Sequence, residues 1–319
     1  MKQLNNETIH FFYYMSKKHL ILIFSTAIIS GVSIFLNSYA VQLANPTQYT
    51  FVRNLLIVLL ISACLLWGRV RSQFKHIDGK QWALLALVGI LGGGVAFILF
   101  FKGLAITPGP VGSFLHKTLF IWVALLAPIF LRERIRPLFL VPAVALLWGN
   151  FLFLGVKMQF WSWGMVMILA AAIIWAIENV ISKHLLNQGV KPFVIIWSRM
   201  TFGAGLIFIY LLAGAGLPSV GQISLNLFFW LMVSAVLLIG YMSTWYVGLS
   251  RVPVTLASTI LLLGSPVTLI FNWMFVGKTL IADQILGIVL IVAGTIFAVY
   301  LFIDIAKQLN TKYDTTPIR

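Results

Sequence analysis

The amino-acid sequence predicts an all-α membrane protein: ten transmembrane helices in two inverted five-helix repeats. Three observations carry this expectation. Of 319 residues, 61% are hydrophobic and 9% charged, with mean hydropathy +1.02, whereas soluble domains run near half apolar and a quarter charged. Ten apolar windows succeed one another, each near the ~20 residues needed to cross a hydrocarbon core as a helix. Segments of the first half also recur, in order, in the second.

The windows are 19–40, 46–68, 82–103, 109–130, 137–155, 161–185, 192–214, 225–248, 254–276 and 283–303. Their continuous apolar runs suit helices and not the short alternating strands of a membrane barrel. A polar stretch, 1–18, precedes the first window and ends in Ser16-Lys17-Lys18. The run from His19 to Ala40 exceeds the ~7–15 apolar residues of a signal peptide, so it reads as a retained span. Proline and glycine punctuate the connections at Asn45-Pro46, Pro108-Gly109-Pro110 and Lys191-Pro192. In the third window Gly89 and the run Gly92-Gly93-Gly94 permit close helix approach. Pro128 and Pro266 lie inside the fourth and ninth windows, where they can kink a helix. The expected organisation is a 1–18 cytoplasmic segment, a 19–155 repeat, a 161–303 repeat and a 304–319 cytoplasmic tail.

The net charge is +15. The basic residues fall between apolar runs, so they suit a membrane surface and no nucleic-acid partner is expected. With the amino terminus in the cytoplasm, inside segments hold 16 of the 22 Lys and Arg, outside segments hold Lys102, Lys157 and Lys278, and Arg53, Lys117 and Arg199 remain within windows. This count includes Lys183, near the inside end of the sixth window, and Lys191 among the inside residues. The bias predicts both termini inside, in a plasma (inner) membrane of bacterial type. A single cysteine, Cys64, excludes an intramolecular disulfide and a cysteine zinc cluster. No P-loop, Gly-x-Ser-x-Gly, His-Glu-x-x-His or EF-hand pattern occurs, so neither enzyme activity nor a cofactor or metal is expected.

The repeat is specific in its details. Pro46 precedes Arg53 as Pro192 precedes Arg199, by seven positions, after the apolar segments GVSIFLNSYAVQLANP and AIENVISKHLLNQGVKP. GLAITPGPVGSFLHKTLF, from Gly103, matches GLSRVPVTLASTILLLGS, from Gly248, with Pro108 and Pro253, then Ser113 and Ser258, in register. An odd number of spans per copy puts the copies in opposite orientations, the inverted-repeat plan of many secondary transporters. Leu131-Arg132-Glu133-Arg134-Ile135 ends the fourth window, and Val276-Gly277-Lys278-Thr279-Leu280 ends the ninth.

On these segments the chain resembles the drug/metabolite transporter superfamily, in particular its EamA-type family. The first of the two helix ends resembles that family's Leu-Gly-Glu-Arg-Leu pattern, with Arg132 in place of Gly; the second has Lys278 where Glu is usual. The resemblance covers nearly the whole chain and implies a ten-helix carrier of a small metabolite, often moving it outward.

Charged side chains at the centre of a bilayer cost roughly 2.5–3.5 kcal/mol on insertion scales and need a partner, water or a route to the interface. Arg53, Lys117, Glu178 and Arg199 are the residues in question. At about 1.5 Å per residue, Glu178 and Arg199 come to similar inner depths on consecutive helices, and an ion pair is expected. That pair is either structural or a gate or proton-coupling device. Arg53 and Lys117 fall in the outer third, and the position matching Glu178 is Val32, so neither has a carboxylate at its depth; Ser33 and Asn37 are the nearby polar candidates. They either snorkel outward along their helices or, with His116, form a cationic patch for a carboxylate or phosphate. Trp122 and Trp175 are further candidates for the pocket wall.

The expected function is a secondary transporter, an exporter, of an anionic or zwitterionic metabolite by alternating access. Substrate and membrane lipid are the expected partners, and a homodimer is left open. Two alternatives stand beside it: a proton-coupled exporter of cationic drugs using Glu178, and, in another class, a lipid scramblase or a membrane enzyme acting on lipid.

Overall fold

A computed structural model describes residues 17–66, 68–107, 109–133, 135–154, 162–217, 224–276 and 281–314. All regular elements among them are helical. In chain order the long helices are α1 (Lys17–Leu43), α2 (Pro46–Leu66), α3 (Gly79–Ala105), α4 (Gly109–Leu131, interrupted at Thr118), α5 (Leu140–Leu154), α6 (Trp163–Asn187), α7 (Pro192–Gly214), α8 (Leu225–Leu249), α9 (Val254–Phe275) and α10 (Ala282–Asp314). Among the described residues, nine are long and apolar enough to cross a membrane; the tenth stretch, Pro137–Leu152, is apolar but shorter. The expected bundle is thus present, with a short fifth member.

Local chemistry sets the boundaries. Asn45 caps α2, its side chain accepting from the Thr47 and Gln48 backbone N–H groups, and Pro46 occupies the first turn, where its missing N–H is no loss. Asp78 and Gln81 form a reciprocal capping box at the start of α3. Ser162 caps α6 and Ser224 caps α8. The α6 helix runs to Asn187, past the expected end at residue 185, and stops where Gly189 takes a left-handed φ of 88°. Lys183, counted from the sequence with the inside residues, lies one turn inside this end and is fully buried.

The α1 and α2 helices tighten to 3-10 turns and α7 widens to a π-helical turn at their ends, and three spans are irregular in their interiors. Residues Gly89–Val95 of α3 form a π-helical stretch. The α4 helix breaks at Thr118, and α9 tightens to a 3-10 turn over Leu261–Leu263. These last two breaks fall at matching positions of the two repeats. Discontinuous helices at corresponding sites are a mark of transporter cores. The α1 helix packs along α8, α3 and α7 cross closely, α6 lies against α3 and α4, and α5 and α10 pair with each other.

The successive long helices alternate in direction. The starts of α1, α7 and α9 and the ends of α4, α6 and α8 share one face, called here the amino-terminal face; the start of α2 lies on the opposite face.

Candidate functional site

A cavity of about 110 Å³ lies within the bundle, lined by residues of α1 to α4 and α6 to α9. The α5 and α10 helices contribute nothing to its wall. From α1 to α4 the lining comes from the half nearer the opposite face, including Ser30, Asn37, Arg53, Phe101 and His116. From α6 to α9 it includes Trp175, Asn179, Arg199, Tyr241 and Leu261.

Behind the lining, the irregular stretch of α3 anchors two of its side chains. A π-helical turn shifts the backbone register and frees carbonyls from the intrahelical ladder. Gly92 O accepts from Trp175 Nε1 at 2.9 Å and from Arg199 Nη2 at 3.3 Å, and Gly93 O accepts from Asn54 Nδ2 at 3.3 Å. Glycine is required because of what lies opposite: a Cβ at Gly92 would strike the Glu178 side chain, and one at Gly93 would overlap the Arg199 carbonyl. One glycine run therefore positions Trp175 and Arg199 together.

Arg199 and Glu178 form an ion pair, Nη1 to Oε2 at 3.2 Å. Tyr246 joins them. Its hydroxyl accepts from Arg199 Nη1 and donates to Glu178 Oε1, both at 2.7 Å; Ser182 also donates to Oε1, at 2.6 Å. Glu178 is fully buried and does not line the cavity, whereas Arg199 does. The pair thus presents its guanidinium to the cavity and holds its carboxylate behind.

Arg53 differs. It is 2% exposed, so it does not reach outward to an interface. Its Nε and Nη2 donate to the neutral side chain of Asn54 at 3.3 and 3.0 Å, and its guanidinium carbon stands 4.8 and 5.1 Å from the Phe97 and Phe101 rings. No acidic side chain pairs with it among the described residues. Arg199 stands 5.8 Å from the same Phe97 ring. The depths assigned from sequence put these arginines in opposite thirds of the membrane; in the structure they face one cavity across a shared aromatic ring. The geometry follows from the repeat: Phe101 beside Arg53 and Tyr246 beside Arg199 are 145 positions apart, like Gly103 and Gly248.

Lys117 is also 2% exposed, and its snorkelling alternative is excluded. Its amine donates to Leu261 O at 3.2 Å, at the 3-10 turn of α9, and to Ser30 Oγ at 3.4 Å. Ser30 and Leu261 line the cavity and Lys117 does not, so the amine sits directly behind the wall. The His116 ring does line the cavity, packed 5.2 Å from both Phe100 and Trp175, with Nδ1 buried and unbonded. Trp122 packs against the core and is not part of the lining. Of the polar candidates near Arg53, Ser33 lines the cavity, and Asn37 Oδ1 accepts from Tyr49 and Ser234 at 3.1 and 2.7 Å.

The structure thus gathers Arg53, His116, Trp175 and Arg199 around one cavity and sets Glu178 and Lys117 directly behind its lining. It adds Phe97, Phe100, Phe101, Tyr241 and Asn179, which the sequence does not single out. Tyr246 is the repeat counterpart of Phe101, so once Phe101 is placed beside Arg53 the repeat points to Tyr246 beside Arg199.

Two five-helix repeats around a central cavity are the architecture of multi-pass membrane transporters. The chain matches the EamA-like transporter family over residues 17–155 and again over 162–300, and it belongs to that family. It is similar to an uncharacterized transporter of Clostridium kluyveri, 24% identical over 258 residues, covering 76% of this chain and 81% of that one. A protein of known crystal structure shares the fold with a TM-score of 0.71 at 19% identity, covering 89% of this chain and 97% of that chain.

Proposed function

We propose that this transporter carries a small metabolite bearing a carboxylate or phosphate, as an anion or zwitterion, outward by alternating access. One observation carries the reading. Two guanidinium groups, Arg53 and Arg199, face the cavity, and among the described residues no carboxylate lines it. Glu178 neutralises Arg199 from behind, so the set keeps a net positive charge at Arg53. A substrate oxyanion would supply the missing partner, and a guanidinium suits it through paired N–H donors. Lys117, behind Ser30 and Leu261, would add a third cation on rotation of its side chain. His116 and Trp175 would contact the substrate body, and the Glu178–Arg199 pair would act as the coupling or gating element.

The rocking of one repeat against the other is supported by the matched breaks in α4 and α9. The excess of basic residues in one set of connections supports a bacterial-type plasma membrane with both termini in the cytoplasm. A cation exporter using Glu178 is less well supported, because Glu178 Oε1 already accepts from Ser182 and Tyr246 and Oε2 faces Arg199.

Thermal melting of the purified protein against matched anionic, zwitterionic and cationic metabolites tests this. A ligand at about 100 times its Kd stabilises by about 2.7 kcal/mol. Anions or zwitterions should raise Tm, and Arg53→Gln should abolish the shift while keeping its own cooperative melt. A shift from cations alone, unaffected by Arg53→Gln, overturns the proposal.

A further inference from the structure

A second set of buried charges lies away from the cavity, at the amino-terminal face, and the substrate reading does not use it. Arg132 ends α4 in a left-handed conformation, φ 56°, and turns the chain so that Glu133 points across the bundle. The Glu133 carboxylate accepts from the first backbone N–H groups of α9: Val254 N at 2.7 Å and Thr255 N at 3.1 Å. From the other side Lys183 of α6, fully buried, donates to two carbonyls of the same connection, Leu249 O at 2.5 Å and Val252 O at 3.0 Å. The segment 249–255 joins α8 to α9, and Leu249, Val252, Val254 and Leu256 are all fully buried. One acidic side chain from the end of α4 and one basic side chain from α6 therefore hold both kinds of backbone group of a single connection between helices that wall the cavity.

Such a clamp is costly as a packing device. Burial raises the Glu133 carboxyl above its ordinary 4.5, against the lowering effects of Lys183 and the α9 N–H groups. Buried charged groups of this kind add little net stability once their desolvation is counted.

The repeat shows what the opposite face carries at the matching places. The counterpart of Glu133 is Lys278, a cation that cannot accept an N–H. The counterpart of Thr255 is Pro110, which has no N–H to give. The counterpart of Lys183 is Asn37, a neutral side chain engaged with Tyr49 and Ser234. In sequence, the three groups that build the clamp in one repeat have no equivalent at the matching positions of the other.

We infer that Glu133 and Lys183 form a one-sided latch that closes the amino-terminal face by gripping the α8–α9 hinge, so that the substrate-free transporter rests with the opposite face as its open side. Opening the amino-terminal face requires the α9 start to leave Glu133 and the 249–252 carbonyls to leave Lys183. The inference rests on the fold and the repeat, and it stands whether the substrate is an anion or a cation.

Thiol labelling of purified protein tests it. In a Cys64→Ser background, Ala257→Cys, one turn into α9 and fully buried, reports on the hinge, and Ala96→Cys, fully buried in α3, reports on general unfolding. Glu133→Ala should raise labelling at position 257 by about tenfold or more, since an equilibrium shifts tenfold for each ~1.4 kcal/mol of lost interaction, and leave position 96 unchanged. Lys183→Met should do the same, and it serves where Glu133→Ala does not fold. Labelling at 257 that stays at the starting rate in both folded variants, or rises equally at 96, overturns the latch.

Discussion

Single residues show where this chain departs from the pattern it otherwise follows. Arg132 adopts φ 56° at the end of α4, a conformation that favours glycine, and the family pattern it resembles has glycine there. The left-handed region costs an L-residue roughly 1–2 kcal/mol. Arg132→Gly should therefore stabilise the protein by about 1 kcal/mol, read as a higher Tm in detergent with the Glu133 contacts retained; a lower Tm would mean that the Arg132 side chain contributes more than the strain removes. Legibility at this scale depends on what fixes a residue's neighbours. The Glu178–Arg199 proximity can be read from the sequence because two consecutive antiparallel helices set both depths. The meeting of Arg53 with Arg199 cannot, because it depends on how the two repeats dock and on the Phe97 ring between them. The burial of Lys183 is not legible in the sequence, because it falls two residues before the expected end of its window and counts with the inside residues, whereas α6 continues to Asn187 and buries it completely.

Among the elements, α3 carries the most information per residue. Its glycines are legible as sites of close approach, and they are: Gly93 packs on the Arg199 carbonyl and on Gly203 of α7. The π-helical register is not legible, since nothing in Gly-Ile-Leu-Gly-Gly-Gly-Val signals a freed carbonyl; the packing of Trp175 and Arg199 against Gly92 O gives the register its use. Gly93→Ala places a methyl group against backbone and not against a side chain that can turn aside. It should cost about 3 kcal/mol, the upper end for overpacking, and should weaken ligand-induced stabilisation by displacing Arg199. Gly205→Ala, in α7 with nothing within 4 Å of the added carbon, should be neutral or stabilising by up to about 1 kcal/mol. Chemical unfolding of the two variants in parallel checks the pair, and equal stabilities would show that α3 and α7 separate freely. The breaks in α4 and α9 are equally hidden in sequence. The Leu261 carbonyl already accepts from Gly264 N–H in the 3-10 turn, and its second role shows only with the Lys117 amine of the other repeat placed on it.

Across the whole molecule, the two repeats share a fold and differ in their charges. The many-helix plan is legible because bilayer thickness, loop charge and repetition each constrain it independently, and among the described residues α5 is the member that falls below the spanning length. The asymmetry is also written in the sequence, at Lys278, Pro110 and Asn37, but it acquires a meaning only when Glu133 and Lys183 are seen on the α8–α9 hinge. If the missing latch keeps the opposite face open, supplying it should close that face. Lys278→Glu restores an acceptor and Pro110→Thr restores a donor at the places related to Glu133 and Thr255. A two-bond charge-assisted contact at about 1.5–3 kcal/mol per bond would move a two-state equilibrium tenfold or more toward the face-closed form. Leu104→Cys, in the cavity wall near the end of α3, reports on that face in the Cys64→Ser background. Its labelling should slow about tenfold in the double variant and less in either single one, since each supplies only half of the contact. Unchanged labelling in a folded double variant would mean that some other contact decides which face of this transporter opens.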